Sequence, residues 1–279
     1  MRLAVIGIGL IGGSLALSLK RKHFVTNVIG VDNNTTHQAE ALRLGLVDEI
    51  MSLEDAVQLA DIIAIATPVN IAEQLLPTIL DTIDQQIVFD LGSTKESIVN
   101  IAKAHVKKGR FVPTHPMWGT EFSGPNAAQA DAFKDKATVI CNADQVDADA
   151  LAKVEEIYQT LGMHIVNMDA VKHDIHVAYV SHISHITSFA LANTVLEKEK
   201  ESDAIFQLAS GGFESTVRLA KSNAAMWVPI FMQNKENVLD VLNEHISQLK
   251  KFKACLEKEN FDYLSDLIEN ANGIKRILQ

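Results

Sequence analysis

The chain has 279 residues, 47% hydrophobic and 22% charged, enough to bury a sizeable core in one large domain or two moderate ones. Its formal net charge of −10 argues against nucleic acid or an anionic membrane as partner, yet leaves room for an anionic metabolite held by local arginines and histidines. Cys141 and Cys255 are the only cysteines, which excludes a disulfide framework and suits a reducing cytoplasm. No apolar run of about 18 residues is present to span a membrane. A strand pattern that starts at Met1-Arg2 leaves no signal or transit peptide to expect.

The first element, Leu3-Ala4-Val5-Ile6, reads as a buried strand and runs straight into Gly7-Ile8-Gly9-Leu10-Ile11-Gly12-Gly13. A helical pattern follows from Ser14 to Lys22. A second short strand, Val28 to Val31, ends in Asp32, 20 residues after Gly12. Strand, G-x-G-x-x-G turn, helix and a distant acid make the layout of a dinucleotide site. Gly7 permits the tight turn, Gly9 lets the backbone approach a pyrophosphate, and Gly12 allows close packing of helix on strand. The N–H groups of Leu10 and Ile11 open the helix, where phosphates bind. Asp32 would accept hydrogen bonds from the adenosine ribose and repel a 2′-phosphate, which favours NAD over NADP.

Apolar runs then alternate with helical patterns, the βαβ signature of a Rossmann-type, doubly wound, mostly parallel sheet. Strands are predicted near 2–7, 27–32, 61–66, 86–90, 110–113, 138–141 and 164–167; helices near 12–22, 36–45, 70–82, 95–107 and 147–161. Thr67-Pro68 stops the third strand on the edge where ligands bind, and Asp90-Leu91-Gly92-Ser93-Thr94-Lys95 follows the fourth on that edge. The stretch 119–137 has no clear period and is expected to be irregular. From Asp169 onward no strand is predicted: one helix over 169–198, shorter pieces over 203–221, then helices over 224–258 and 261–278. The domains are therefore placed at 1–168 for dinucleotide binding and 169–279 for an all-α C-terminal domain. Its helices are apolar over wide arcs, which suggests burial against the first domain and against a second copy.

Three patches could carry chemistry. His115, just past the strand at 110–113, faces the ligand edge, and its ordinary pKa of about 6.5 suits proton transfer at neutral pH. His173, His176, His182 and His185 share one predicted helix. At about 100° per residue His182 and His185 lie about 60° apart, with His173 and His176 on the other side. One helix therefore cannot gather all four about one ion, H-E-x-x-H spacing is missing, and no metal is expected. Either His182 or His185 points into a polar cleft, or both are buried and bonded to backbone or serine. Arg218 has the donor fork for a carboxylate; from the residues alone an intrachain ion pair is the better reading.

Together these motifs resemble the prephenate dehydrogenase family over nearly the whole chain. They are Gly7-x-Gly9-x-x-Gly12, Asp90-Leu91-Gly92-Ser93-x-Lys95, His115-Pro116-Met117-x-Gly119-Thr120-Glu121, His173-Asp174, Ser181-His182-x-x-His185 and Arg218. The resemblance implies a Rossmann domain followed by a helical domain that forms a homodimer. It also implies NAD-dependent oxidative decarboxylation of a small dicarboxylate, with His115 accepting the proton of the ring hydroxyl. Ser93 would bond to that hydroxyl or orient the histidine. Arg218 would bind a substrate carboxylate; His185, supported by His182, would contact the other anionic end or the cleft wall, and Thr120 would lie beside the substrate. Trp118 departs from the small residue usual in the family and Ser184 from a common proline. No strand-rich tail follows the helices, so tyrosine feedback would have to act at the active site. Arogenate, with an amino group for the keto group, is the nearest alternative substrate. A hydroxyacid or imine oxidoreductase of the same plan would need a catalytic lysine, for which only Lys172 and Lys221 are near, and a nucleotide-sensing protein would not need Ser93, His115, His185 and Arg218 together.

Overall fold

The structure, a computed structural model, describes residues 1–199 and 210–276. The chain forms two compact units, Met1–Asn234 and Lys235–Gln279. The first holds an eight-stranded sheet of order β3-β2-β1-β4-β5-β6-β7-β8. Its strands are β1 Arg2–Ile6, β2 Asn27–Val31, β3 Glu49–Ile50, β4 Ile62–Ile65, β5 Ile87–Asp90, β6 Phe111–Pro116, β7 Ala137–Cys141 and β8 His164–Met168. Every pairing is parallel except β6 with β7. The β1, β4 and β5 strands are buried on both faces, as their unbroken apolar runs require. Two apolar cores flank the sheet, one around Leu3, Leu15, Phe89 and Tyr158, the other around Ile6, Ile63, Leu76 and Phe111.

The helices over the sheet are α1 Leu10–Arg21, α2 Thr35–Arg43, α3 Leu53–Leu59, α4 Val69–Thr82, α5 Glu96–Lys103 and α6 Ala148–Thr160. The strand order reverses between β1 and β4, which makes a crevice at the carboxyl ends of those strands. The irregular stretch expected over 119–137 is pinned to α1: Gln129 N–H donates to Ser14 Oγ at 2.9 Å, and Ser18 Oγ bonds to the Ala130 carbonyl.

Several elements depart from their sequence periods. Sequence patterning misses β3, which is two residues long, and α3, although Ser52 caps α3 by accepting from Asp55 N–H at 3.1 Å. The β6 strand runs past 113 because it changes partner: Phe111–Pro113 pair with β5 and Thr114–Pro116 with β7. The helix predicted over 95–107 is shortened to α5. The helix predicted over 169–198 is α7, Ala170–Val177, and α8, Ile183–Glu199, joined through a π-helical turn over Ala178–His182. The segment predicted over 224–258 breaks at Asn234 into Ala224–Gln233 and Lys235–Glu257; the last helix spans Phe261–Ala271 before a 3-10 turn. Part of the region predicted over 203–221 lies outside the described residues; the rest is a helix over Gly211–Val217 and a 3-10 turn over Arg218–Lys221. Among the described residues no helix is long and apolar enough to cross a membrane.

Candidate active site

The glycine turn has the geometry of a ligand cradle. Gly7 takes φ +91°, and a Cβ there would sit 2.8 Å from the Ala66 carbonyl. At Gly12 a Cβ would come 2.0 Å from the Gly7 carbonyl oxygen, whereas at Gly9 it would meet nothing within 4 Å. The turn is thus tight against protein at Gly7 and Gly12 and open at Gly9. Gly9 caps α1 and offers no side chain to the leading N–H groups at Leu10 and Ile11. Asp32 accepts from Ile8 N–H at 3.2 Å and Asn34 N–H at 2.9 Å, which fixes its carboxylate beside the turn. Thr67 and Pro68 link β4 to α4 on the same edge, and Thr67 Oγ1 is buried with no partner among the described residues. An open backbone, free helix donors and an orphan hydroxyl are what a dinucleotide would fill.

Next along the edge, Asp90 and Lys95 form a fully buried ion pair. Asp90 also accepts from Gly92 N–H at 3.0 Å and Thr114 N–H at 3.1 Å, tying the end of β5 to β6 one residue before His115. Burial pushes the Asp90 carboxyl up, while Lys95 and the two N–H groups pull it back. His115 itself is 9% exposed. Burial drives its imidazole well below the ordinary histidine range, reinforced by His173, Lys95 and His182. His115 Nδ1 lies 2.8 Å from His173 Nε2, and His173 Nδ1 lies 2.7 Å from Asp174 Oδ1. The two oxygens of Asp174 accept from Lys95 N–H at 2.8 Å and Glu96 N–H at 2.9 Å, capping α5. Ser93 sits half-buried in the β5–α5 loop and is not bonded to His115.

The π turn alters the expected arrangement of the helix histidines. In a regular helix His173 and His182 oppose each other; the wider turn withdraws His182 from that phase, and both are buried, at 0% and 1% exposed. His176 alone among the four points to solvent. Asn234 Nδ2 donates to the Asp174 carbonyl at 2.7 Å and lies 3.2 Å from His182 Nδ1. The amide nitrogen can only donate, so His182 Nδ1 accepts and its proton sits on Nε2, which is buried and unpartnered among the described residues. Burial lowers the pKa of His182 to about 4, so the ring is a neutral donor. His185 Nδ1 is 3.1 Å from the Ser181 carbonyl and must donate to it, which leaves Nε2 a lone pair; the ring stacks on Trp227 with centroids 3.5 Å apart. Burial lowers its pKa, the Ser181 carbonyl raises it, and the charge of Arg218 lowers it. Trp227 Nε1 and Gln233 Nε2 are two further buried donors without partners among the described residues.

Arg218 forms the ion pair that its sequence context favours, Nη1 to Glu121 Oε2 at 2.7 Å, and stays 49% exposed. Thr120, beside Glu121, accepts from Phe122 N–H at 3.3 Å. Trp118 packs edge-on against Phe133, centroids 5.5 Å apart. The structure therefore gathers His115, His182, His185 and, through Glu121, Arg218 about one end of the sheet. Sequence reasoning gave no role to His173, Asp174, Lys95, Trp227 or Asn234. The adjacent His173-Asp174 and the five-residue spacing of Asp90 and Lys95 were the available signals for the first three.

A doubly wound sheet with an open glycine cradle and a buried histidine at the next strand ends defines an α/β dehydrogenase of the dinucleotide-binding class. Residues 15–167 match the family described as prephenate dehydrogenase, nucleotide-binding domain, and residues 169–270 match the prephenate dehydrogenase dimerization domain. The chain belongs to the prephenate dehydrogenase family. It is 30% identical to the prephenate dehydrogenase of Bacillus subtilis (strain 168), over 96% of this chain and 74% of that protein. Among solved structures it resembles prephenate dehydrogenase from A. aeolicus in complex with hydroxyphenyl propionate and NAD+, with TM-score 0.90, 28% identity, and 100% and 98% of the two chains covered. It also resembles Synechocystis arogenate dehydrogenase, TM-score 0.79, 28% identical, with both chains covered completely. This membership sets aside the hydroxyacid or imine oxidoreductase reading.

Proposed function

We propose that this chain oxidatively decarboxylates prephenate to 4-hydroxyphenylpyruvate with NAD+, the tyrosine-forming branch of aromatic amino-acid synthesis. The observation that carries the reading is the set of buried N–H donors of His182, Trp227 and Gln233, without partners among the described residues, on the same sheet end as a neutral His115. Buried donors without partners are costly unless a ligand satisfies them, and a dicarboxylate supplies acceptors. The likeness to proteins solved or named with that chemistry supports it.

Gly7, Gly9, Leu10, Ile11 and Gly12 would hold the pyrophosphate, Asp32 the adenosine ribose, and Thr67 and Pro68 the adjoining edge. Bound NAD+ supplies the hydride acceptor. His115, neutral at physiological pH, takes the proton of the ring 4-hydroxyl as hydride leaves the carbon that bears it. That removal relieves the positive character building at that carbon. The ring carboxylate leaves as CO2, its bonding electron pair completes the aromatic ring, and the proton held by His115 returns to the phenolate oxygen so formed. Ser93, in the adjoining loop, steadies the hydroxyl. The Nε2–H of His182 is the donor suited to a carboxylate; neutral His185, stacked on Trp227, forms the cleft wall with it. Arg218 takes the other carboxylate in place of, or beside, Glu121, with Thr120 adjoining.

Residues 1–168 serve as the NAD-binding domain and 169–279 as the substrate and dimerisation domain of a cytoplasmic homodimer. Exposed Leu249, Leu256, Phe261 and Ile268 within Lys235–Gln279 support the dimer. The test is NADH absorbance with purified protein, NAD+ and prephenate, where turnover is expected. Arogenate is the second reading, on the likeness to the Synechocystis enzyme, and the same assay with arogenate separates the two. No turnover with either would overturn the proposal.

A further inference from the structure

The bonds behind His115 form a directed chain. Asp174 is an acceptor, both of its oxygens already taking backbone N–H groups from the start of α5. A ring nitrogen 2.7 Å from Oδ1 must therefore donate, so the proton of His173 is on Nδ1. Burial lowers the pKa of His173 against the pull of Asp174, so the ring carries that one proton and its Nε2 is a lone pair. His115 Nδ1, 2.8 Å from that lone pair, must in turn donate. The reverse order would set two acceptors against each other at the carboxylate. Once Nδ1 of His115 holds the proton, its Nε2 is the unprotonated nitrogen.

We infer that His173 and Asp174 are positioning residues that lock His115 in the tautomer with Nδ1 protonated, so that Nε2 is always presented as the proton acceptor. The inference rests on reading His115 as the base. Rings 5.1 Å apart at 72° leave His115 one orientation toward its partner. The remaining charged and titratable groups about the pair are Lys95 and Asp90 from the β5–α5 segment and His182 from the π turn. Asp174 does double duty: the carboxylate that orients His173 also caps α5, so the relay is tied to the loop that carries Ser93. Asn234 holds the carbonyl of Asp174 from the opposite side.

The decisive measurement is the ring-nitrogen spectrum of 15N-histidine-labelled full-length protein at pH 7, with His115 assigned by its loss in His115→Asn. The expected pattern is a protonated Nδ1 and an unprotonated Nε2 on His115; a protonated Nε2 in the wild type overturns the inference. Two variants read the consequence in turnover. His173→Phe keeps a ring but removes the acceptor, and kcat should fall at least tenfold with KM and NAD+ affinity within twofold. That is less than the roughly 10⁴-fold that a wrong tautomer costs a serine-protease triad. His173→Gln offers a carbonyl to Nδ1–H and should recover most of the loss. Equal kcat in the two variants also overturns it, and should the Phe variant fail to fold the wild-type spectrum still decides. If the wild type turns over neither prephenate nor arogenate, the reading of His115 as base fails, while the spectrum judges the tautomer independently.

Discussion

The cradle makes opposite demands at two glycines only three residues apart. At Gly12 an added Cβ would lie 2.0 Å from the Gly7 carbonyl oxygen and 2.9 Å from Val5 Cγ1. The first of these is backbone in a turn already held at φ +91°, so it cannot swing aside as a side-chain tip would. Overpacking of this kind costs about 1–3 kcal/mol, and an overlap of more than an ångström belongs at the upper end. For a unit of this size about 3 kcal/mol lowers Tm by roughly 6–12 °C. Gly12→Ala should therefore melt early even without ligand, although alanine is tolerated at the third position of many such turns. At Gly9 the Cβ meets nothing. The loss of a favourable cap residue and the gain from a stiffer unfolded chain are each about 1 kcal/mol or less and oppose each other. Gly9→Ala should melt within a few degrees of wild type yet bind NAD+ at least tenfold more weakly, because the methyl takes the space the pyrophosphate needs. Both tryptophans, Trp118 and Trp227, lie in the first unit, so their fluorescence follows its melting, and calorimetric titration gives the NAD+ Kd. A wild-type Tm for Gly12→Ala, or a wild-type Kd for Gly9→Ala, would refute this account of the turn.

Four further outcomes follow from the site. His115→Asn should lower kcat by roughly 10²–10⁴ with NAD+ binding near normal, and an unchanged kcat would remove it from proton transfer. Arg218→Ala should act mainly on KM, with a loss of about 1.5–3 kcal/mol for a charge-assisted hydrogen bond; a fall in kcat alone would contradict a binding role. Asp32→Ser should relax the preference for NAD+ over NADP+, and equal use of both by the wild type would show the Asp32 reading to be wrong. Because the pKa of folded His182 is depressed to about 4 while the unfolded value is near 6.5, the unfolded chain binds the extra proton first. Stability from this group is complete above about pH 6.5 and is lost as pH falls toward 4, by up to about 3 kcal/mol. Urea unfolding at pH 7, 6 and 5 should show that slope, shallower in His182→Gln; parallel slopes would exclude His182 as a source.

Seven of the eight strands, the glycine turn, Asp32 and the place of His115 on the ligand edge were legible in the sequence because each depends on neighbours in the chain. An apolar run, a glycine at positive φ and an acid at the end of the next strand are local demands, met within about 30 residues. The two-residue β3 carries too little periodicity to be read, and the break at Asn234 hides within an unbroken helical pattern. The π turn was invisible for the same reason, and with it the common burial of His173 and His182. What only the tertiary structure decided is who meets whom: His173 on His115, Asp174 on the N-terminus of α5, Lys95 on Asp90, and Glu121 on Arg218. Hydrogen-bond direction and burial set the protonation of His115, His173, His182 and His185. Both are properties of pairs 58 to 97 residues apart in the case of His115–His173 and Glu121–Arg218, so they arise only once the sheet and helices have brought the partners together.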